Sequence, residues 1–200
     1  MGMIIDRELK FQQHADYICR KIGQKLGMMT RLRKHLSPFS MKTVYNSIVL
    51  PHYTYCSTVM YAFNEKSLTR LQVLQNKGMR LILKCDKYER ISNMLHKLHW
   101  LSVRQMVEYG VLTFIHNIKL GGMPAYYDEN FWNCSSMHDH NTRNKDTFYV
   151  KTKRKEIAFR SVFAKGLIKY NEVLGVIKDN VSIKNFKRAL KESYFVSIQQ

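Results

Sequence analysis

The residues that could coordinate a metal gather mainly in one polar segment. Cys134, His138 and His140 are three possible zinc ligands within seven residues. A structural zinc site needs four ligands, and it usually begins with two closely spaced cysteines. His96 and His99 would share one face of a helix, but histidines in such positions more often pair with the backbone. The pattern favours a polar turn and predicts no metal site.

Asp128 and Glu129 are the adjacent carboxylates that two-metal chemistry would require. Nucleic-acid polymerases and most nucleases hold Mg²⁺ ions between at least two carboxylates. This pair lies in a segment rich in loop-forming residues, and solvation of a loop explains it. The sequence contains neither a G-x-S-x-G nucleophile motif nor a G-x-x-x-x-G-K-[ST] phosphate loop. We therefore predict no catalytic residue and no independent enzyme.

Basic residues outnumber acidic residues by more than two to one. The 200 residues include 33 Lys and Arg against 15 Asp and Glu, for a formal net charge of +18. This charge predicts a polyanion, such as a nucleic acid, as the partner. Four cysteines without a C-x-x-C pair indicate reduced thiols, and no apolar run approaches the roughly 18 to 20 residues of a membrane span. We expect an intracellular protein, in the nucleus or the cytoplasm, without a membrane segment.

Two segments combine an apolar face with a basic face. In residues 12–36 the apolar residues recur every three or four positions, which predicts an amphipathic helix, and residues 65–85 repeat the pattern. The basic residues opposite the apolar faces are Arg20, Arg31 and Lys34 in the first helix and Arg70, Lys77, Arg80 and Lys84 in the second. One such stripe alone would be the solvated face of a core helix. Two stripes without interleaved glutamates favour binding.

The remaining segments predict a mainly α fold. Residues 40–63 indicate two helical pieces that break at Pro51, with a strand as the open alternative. A helix over residues 101–120 ends at a Gly-Gly pair, and residues 121–150 have the composition of a long loop. The other predicted elements are helices over residues 156–170 and 183–195 and a strand over residues 2–9.

A dense basic run opens the C-terminal quarter of the chain. Its cations, together with two on the last predicted helix, are further candidate phosphate contacts: Lys151, Lys153, Arg154, Lys155, Lys187 and Arg188. The run could also act as a nuclear-entry signal, although such runs occur by chance in basic proteins.

Several short motifs occur in an order found in one family. Residues 2–14 resemble the segment "LGV-x-ID-x-x-L-x-W-x-x-H" that follows the palm in reverse transcriptases of non-LTR retrotransposons, the jockey-like and related LINE elements. Residues 44–56 are similar to "LY-x-S-L-x-x-P-x-L-x-YC", and residues 71–82 are similar to "LQ-x-LQN-x-A-x-R-x-I". Residues 140–144 resemble the "H-x-TR" loop. The order of these motifs over nearly the full chain carries the resemblance.

The resemblance implies a division of the chain into four parts. These are the end of the palm with its strand (1–11), a helical thumb-like domain (12–120), a long loop (121–150) and basic C-terminal helices (151–200). In this family the thumb packs against the template–primer duplex, which agrees with the two basic stripes. The palm aspartates that hold Mg²⁺ precede the matching region, so the resemblance implies no catalytic residue and no cofactor here. Met60-Tyr61 and Lys169-Tyr170-Asn171 depart from the family, because both places lack an expected Trp.

Two functions from different classes remain open at this point. The first is a fragment of an RNA-directed DNA polymerase that binds template RNA or an RNA–DNA duplex, with a palm-containing polymerase chain as a further partner. The alternative is a helical protein–protein interaction module, in which loop aromatics such as Tyr126, Phe131 and Trp132 would dock on another chain. An inert retroelement remnant is the third reading.

Overall fold

Helices make up most of the computed structural model, which describes residues 2–124, 127, 147–150, 161–173, 175–179 and 182–198. These residues contain no strand or sheet, and the prediction of a mainly α fold is confirmed. The chain divides into two units, Met1–Val107 with Ser193–Gln200, and Glu108–Glu192. The helices are α1 Gln12–Leu32, α2 Pro38–Ile48, α3 Pro51–Thr54, α4 Ser57–Met60, α5 Glu65–Leu83, α6 Ile91–Leu98, α7 Val103–Lys119, a π-helical turn Val162–Gly166, α8 Leu167–Glu172, α9 Gly175–Lys178 and α10 Ile183–Ile198.

The strand predicted over residues 2–9 is wrong. The carboxylate of Asp6 accepts hydrogen bonds from the backbone N–H groups of Glu8 (3.1 Å), Lys10 (2.9 Å) and Phe11 (2.5 Å). These bonds fold the segment into a turn, and Leu9 and Phe11 adopt left-handed backbone angles. Local side-chain bonds of this kind compete with extended structure, and the described residues offer no neighbouring strand to pair with.

Helices α1 and α5 lie side by side and run in the same direction. At their first turns, Gln12 Oε1 accepts hydrogen bonds from Asn64 Nδ2 (3.2 Å) and Ser67 Oγ (3.3 Å). One turn further along, Arg70 of α5 pairs with Asp16 of α1. Asn64 also caps α5 by accepting the N–H of Ser67. The starts of the two helices are therefore fixed together.

Both amphipathic helices are confirmed, and each bears its apolar face on the core. In α1 the buried residues step by three or four from Ala15 to Met29, and α5 buries Leu71, Met79 and Ile82 in the same way. Each helix ends slightly earlier than predicted. As a result Lys34 lies beyond α1, and Lys84 is the left-handed C-cap of α5.

The segment 40–63 forms three helices instead of the predicted two. The expected break at Pro51 is present, because Pro51 begins α3. A second break follows at Cys56, which has a left-handed backbone and precedes α4. Ser37 starts α2 by accepting the N–H of Ser40 at 3.1 Å. The strand alternative is wrong.

The close packing of α2 against α5 depends on Gly78. A Cβ at this position would overlap the ring of Tyr45, which is fully buried. The same ring stacks on Trp100, with centroids 4.6 Å apart. A residue without a side chain therefore allows the aromatic ring to lie directly against the helix backbone.

Two glutamines of the 71–82 motif hold the chain segment that leads into α7. Gln75 Nε2 donates to the carbonyl of Leu101 at 2.8 Å, and Gln72 Oε1 accepts the N–H of Val103 at 2.9 Å. Ser102 and Gln105 form a reciprocal capping box at the start of α7. The motif that resembles the reverse transcriptases thus has a structural task in this chain.

The second unit packs around a buried histidine. His116 Nδ1 lies 2.8 Å from the hydroxyl of Tyr170, and its ring stacks on Phe186 at 3.8 Å. The helix predicted over 101–120 is confirmed as α7, and the helix predicted over 183–195 is confirmed as α10. Of the helix predicted over 156–170, the described part consists of the π-helical turn and the start of α8.

Several earlier predictions concern residues outside the described ranges. They include most of the long loop 121–150, with Asp128-Glu129, the group Cys134, His138 and His140, and the aromatics Tyr126, Phe131 and Trp132.

Candidate nucleic-acid interface

A groove runs along the boundary between α1 and α5. It contains two adjacent recesses of about 580 and 320 Å³ that share Leu74 in their lining, and together they are called the basic groove. The first recess lies near the helix N-termini and is lined by Asp16, Cys19, Arg20, Thr69, Arg70, Val73 and Leu74. The second lies towards the C-termini and is lined by Gly23, Leu26, Gly27, Thr30, Arg33, Leu74, Lys77, Arg80, Leu81 and Cys85.

The second recess is lined by cations without a carboxylate. Arg33, Lys77 and Arg80 are its charged residues, and none of them forms a salt bridge with another described residue. The Nε of Arg80 is buried and has no hydrogen-bond partner in the described part of the chain. Buried donors are normally satisfied by a partner. An anion bound in this recess would meet three cationic side chains.

The first recess contains an ion pair. Asp16 Oδ1 lies 2.5 Å from Arg70 Nη1, and both side chains are partly exposed. The guanidinium of Arg70, through this hydrogen bond, lowers the pKa of Asp16, and the carboxylate raises the pKa of Arg70. Arg20 adds a weaker attraction to the same carboxylate. The cations of this end are therefore partly neutralised, in contrast to those of the second recess.

The floor of the second recess on the α1 side is bare backbone. Gly23 and Gly27 are one helical turn apart, and a Cβ at either position would meet no atom within 4 Å. The absence of side chains there leaves space for a bulky group such as a phosphate to approach the helix.

Cys19, in the first recess, is half-buried, and burial raises the pKa of its thiol. That thiol is accordingly protonated at neutral pH.

The structure brings four of the predicted contact residues together in the basic groove. These are Arg20, Arg70, Lys77 and Arg80. Arg31, Lys34 and Lys84 are exposed in the same unit but do not line the groove. Lys187 and Arg188 are exposed on α10, in the second unit. Lys151, Lys153, Arg154 and Lys155 lie outside the described residues.

Arg33 is the groove residue that sequence reasoning missed. It follows the last residue of α1, and a helical pattern for one helix does not reveal which neighbour it faces. Lys25 shows the converse. It falls on the apolar side of α1, and its ammonium donates to the carbonyl of Ile48 at 2.6 Å, near the C-terminus of α2. Lys25 is therefore a structural cation and not a groove residue.

A membrane span and a metal site each require particular features of the residues that the structure describes. None of the described helices has the length and apolar character needed to span a bilayer. Within the same residues, no three His, Cys, Asp or Glu side chains come together as metal ligands would.

Comparison with known proteins connects this chain to one class of polymerase. The chain is 28% identical over 100 residues to a probable RNA-directed DNA polymerase from transposon X-element of Drosophila melanogaster. It is 26% identical over 110 residues to a probable RNA-directed DNA polymerase from transposon BS of the same species. The chain is similar to transposon-encoded RNA-directed DNA polymerases. The resemblance inferred from the sequence motifs is confirmed.

The similarity covers a small part of these relatives. The two alignments include 48% and 54% of this chain, but only 11% and 12% of the relatives' own length. No family model and no solved structure gives a significant match.

Proposed function

We propose that this chain is a thumb-like, nucleic-acid-binding segment of a retrotransposon reverse transcriptase. In this proposal the basic groove between α1 and α5 binds the phosphates of template RNA or of an RNA–DNA duplex. The observation that supports it best is the second recess, where Arg33, Lys77 and Arg80 meet without a carboxylate. Similarity to RNA-directed DNA polymerases makes a nucleic acid the polyanion that we infer.

Binding would depend on charge and shape. Each phosphate that a lysine or arginine neutralises releases condensed counterions, so the affinity falls as salt rises. In this proposal the groove cations contact phosphates, which carry no sequence information, and A-form duplexes are recognised mainly by shape and backbone. We therefore expect little sequence preference.

The chain would assist a polymerase without carrying out the chemistry. Asp16 is the acidic residue of the groove, and it is already paired with Arg70. Two-metal nucleotidyl transfer requires at least two carboxylates that share Mg²⁺ ions. In our proposal these carboxylates and their metal belong to a palm outside this segment, and the chain alone does not extend a primer.

The test is direct binding to a labelled duplex. Fluorescence anisotropy with a short RNA–DNA duplex, repeated over a series of salt concentrations, should give a steep negative slope of log affinity against log salt. The expected slope is about −0.9 for each phosphate contacted in B-form DNA, and for the hybrid it should likewise be negative and grow with the number of phosphates contacted. A double variant, Lys77→Glu with Arg80→Glu, should weaken binding and flatten the slope. Lys66→Glu is a control, because Lys66 is exposed on α5 but does not line the groove.

Two outcomes would contradict the proposal. A folded, helical protein that does not bind the duplex at low salt would exclude the groove as a nucleic-acid site and favour the interaction-module alternative. Binding that does not respond to salt, or that the Lys77 and Arg80 changes leave intact, would show that the groove is not the contact surface.

A further inference from the structure

The turn that follows α5 presents an aromatic ring to solvent. Tyr88 is 84% exposed, whereas the large aromatic residues Tyr45 and Tyr53 of the same unit are fully buried. Tyr88 lies in a turn over residues 86–89, closed by a hydrogen bond from the N–H of Glu89 to the carbonyl of Asp86 at 3.3 Å. Exposure of a ring this large gains nothing for folding.

The turn is held in place although the ring is exposed. The carboxylate of Glu89 accepts hydrogen bonds from Lys97 at 3.4 Å and from Asn93 at 3.5 Å, both on α6. The ammonium of Lys87 lies 5.0 Å from the centroid of the Tyr88 ring, a distance typical of a cation–π contact. The turn that carries the ring is thus anchored to α6 before any ligand binds.

The ring is close to the cationic end of the basic groove. Cys85 lines the second recess, and Tyr88 is three residues further along the chain. Three residues span at most about 10 Å. Successive nucleotides of a stacked strand rise by about 3.4 Å. A strand that leaves the recess beside Cys85 and runs towards the turn would therefore bring a base to Tyr88 within about three nucleotides.

The charge around the turn suits a nucleic acid. Lys84, Lys87 and Arg90 are neighbours of Tyr88 in the sequence, against Asp86 and Glu89. Because Glu89 pairs with Lys97, Asp86 is the acidic residue of the turn that no described salt bridge offsets. An exposed aromatic face beside cations is the arrangement with which proteins stack unpaired bases.

We propose that Tyr88 stacks on an unpaired base next to the strand that the basic groove holds, so that the chain prefers a duplex with a single-stranded extension to a blunt duplex. This proposal rests on the nucleic-acid binding proposed above. Stacking uses the face of the base, which every base has, so the preference is for structure and not for sequence. A paired base inside a blunt duplex is already stacked on both sides and is not available to the ring.

The experiment compares a blunt probe with a set of extended probes, using four proteins. The probes are a blunt RNA–DNA duplex and the same duplex with a few unpaired nucleotides at one end, tested separately for each strand and each end. The proteins are the unchanged chain, Tyr88→Ala, Tyr88→Phe and Ile91→Ala. Ile91, the first residue of α6, is also exposed, and its side chain is apolar without a ring, so it controls for loss of apolar surface at this end.

We expect the unchanged chain to bind at least one extended duplex about tenfold more tightly than the blunt duplex, as one base–aromatic stack would give. Tyr88→Phe and Ile91→Ala should keep that preference. Tyr88→Ala should lose it while binding the blunt duplex as before. A 2-aminopurine in the extension should be quenched by the unchanged chain and not by Tyr88→Ala.

Contrary results separate this proposal from the one on which it rests. If the unchanged chain binds blunt and extended duplexes equally, or if Tyr88→Ala keeps the preference, the stacking role is excluded. The proposal that the basic groove binds nucleic acid is then unaffected. An equal loss in Ile91→Ala would replace stacking by general apolar contact and would also exclude it. Failure to bind either probe contradicts the groove itself.

Discussion

The carboxylate of Asp16 lies 2.5 Å from the guanidinium of Arg70, and among the residues that the structure describes it is the one acid that lines the basic groove. The pair joins α1 to α5, but it also sets a negative charge where the proposed function requires a phosphate. An exposed pair of this kind contributes only about 0 to 1 kcal/mol to stability. Asp16 therefore adds little to the stability of the fold, and in the proposed function its charge opposes a bound phosphate.

Asp16→Asn should increase affinity for the RNA–DNA duplex by about two- to fivefold, because it removes a repulsive charge and releases Arg70. Anisotropy at low salt measures the change. Glu65→Gln is the matched control, since Glu65 pairs with Arg104 away from the groove lining. Equal gains in both variants would mean that net charge alone, and not the groove, determines affinity.

Arg33→Glu should reduce affinity by about tenfold and decrease the salt slope by about 1, as expected for the loss of one charge-assisted phosphate contact. Arg31→Glu makes the same charge change two residues earlier, on an exposed position outside the groove. Its effect should be clearly smaller. If Arg31→Glu weakens binding as much as Arg33→Glu, the bound strand does not follow the groove.

Gly78→Ala should destabilise the protein although alanine favours helices. The added methyl would overlap the buried ring of Tyr45, and such overpacking costs about 1 to 3 kcal/mol against a helical gain of about 0.5 to 1 kcal/mol. Gly23→Ala should stabilise by about the helical gain alone, because nothing lies near its Cβ. Urea unfolding measures both changes. A stable Gly78→Ala would show that α2 and α5 do not pack as described.

Stability should fall as the pH drops from 7.5 to 5.5. Burial lowers the pKa of both His14 and His52, and Lys25 and Lys21 lower that of His52 further. Because each pKa is lower in the folded state, protonation favours unfolding, and the stability present above the unfolded value of about 6.5 is lost below it. Urea midpoints at the two pH values measure the slope, which His14→Gln and His52→Gln should each reduce. His35→Gln, at an exposed position, should leave it unchanged.

The sequence predicts the long helices well because their evidence is local. Apolar residues at helical spacing suffice to place α1, α5, α7 and α10, and Pro51 suffices to predict a break. The second break at Cys56 was not predictable, because a left-handed cysteine has no residue signature of the kind that glycine supplies. The strand prediction was wrong because the Asp6 carboxylate accepts hydrogen bonds from backbone N–H groups a few residues further along the chain. A β-rich composition does not reveal such a turn.

The groove was predictable only in part for a geometric reason. A helical pattern finds the residues directly opposite the core, such as Arg31. A groove between two helices is instead lined by residues at the edge of the buried face. In α1 these are Asp16, Cys19, Gly23, Gly27 and Thr30, each one residue after a buried residue. Which edge of the buried face lies against the neighbouring helix depends on tertiary packing. Arg33 and the acid-free character of the second recess emerged only from the structure.

The parallel course of α1 and α5 gives this pair a shared polarity. Aligned peptide dipoles place partial negative charge at the C-terminus of every helix, and here two such ends come together beside the second recess. The last turns carry Arg31 and Arg80, and Arg33 and Lys84 follow directly. These cations offset a field that the backbone itself creates, so they stabilise the helix pair even when no strand is bound. Selection for the fold and selection for an anion would therefore favour the same positive residues at this end.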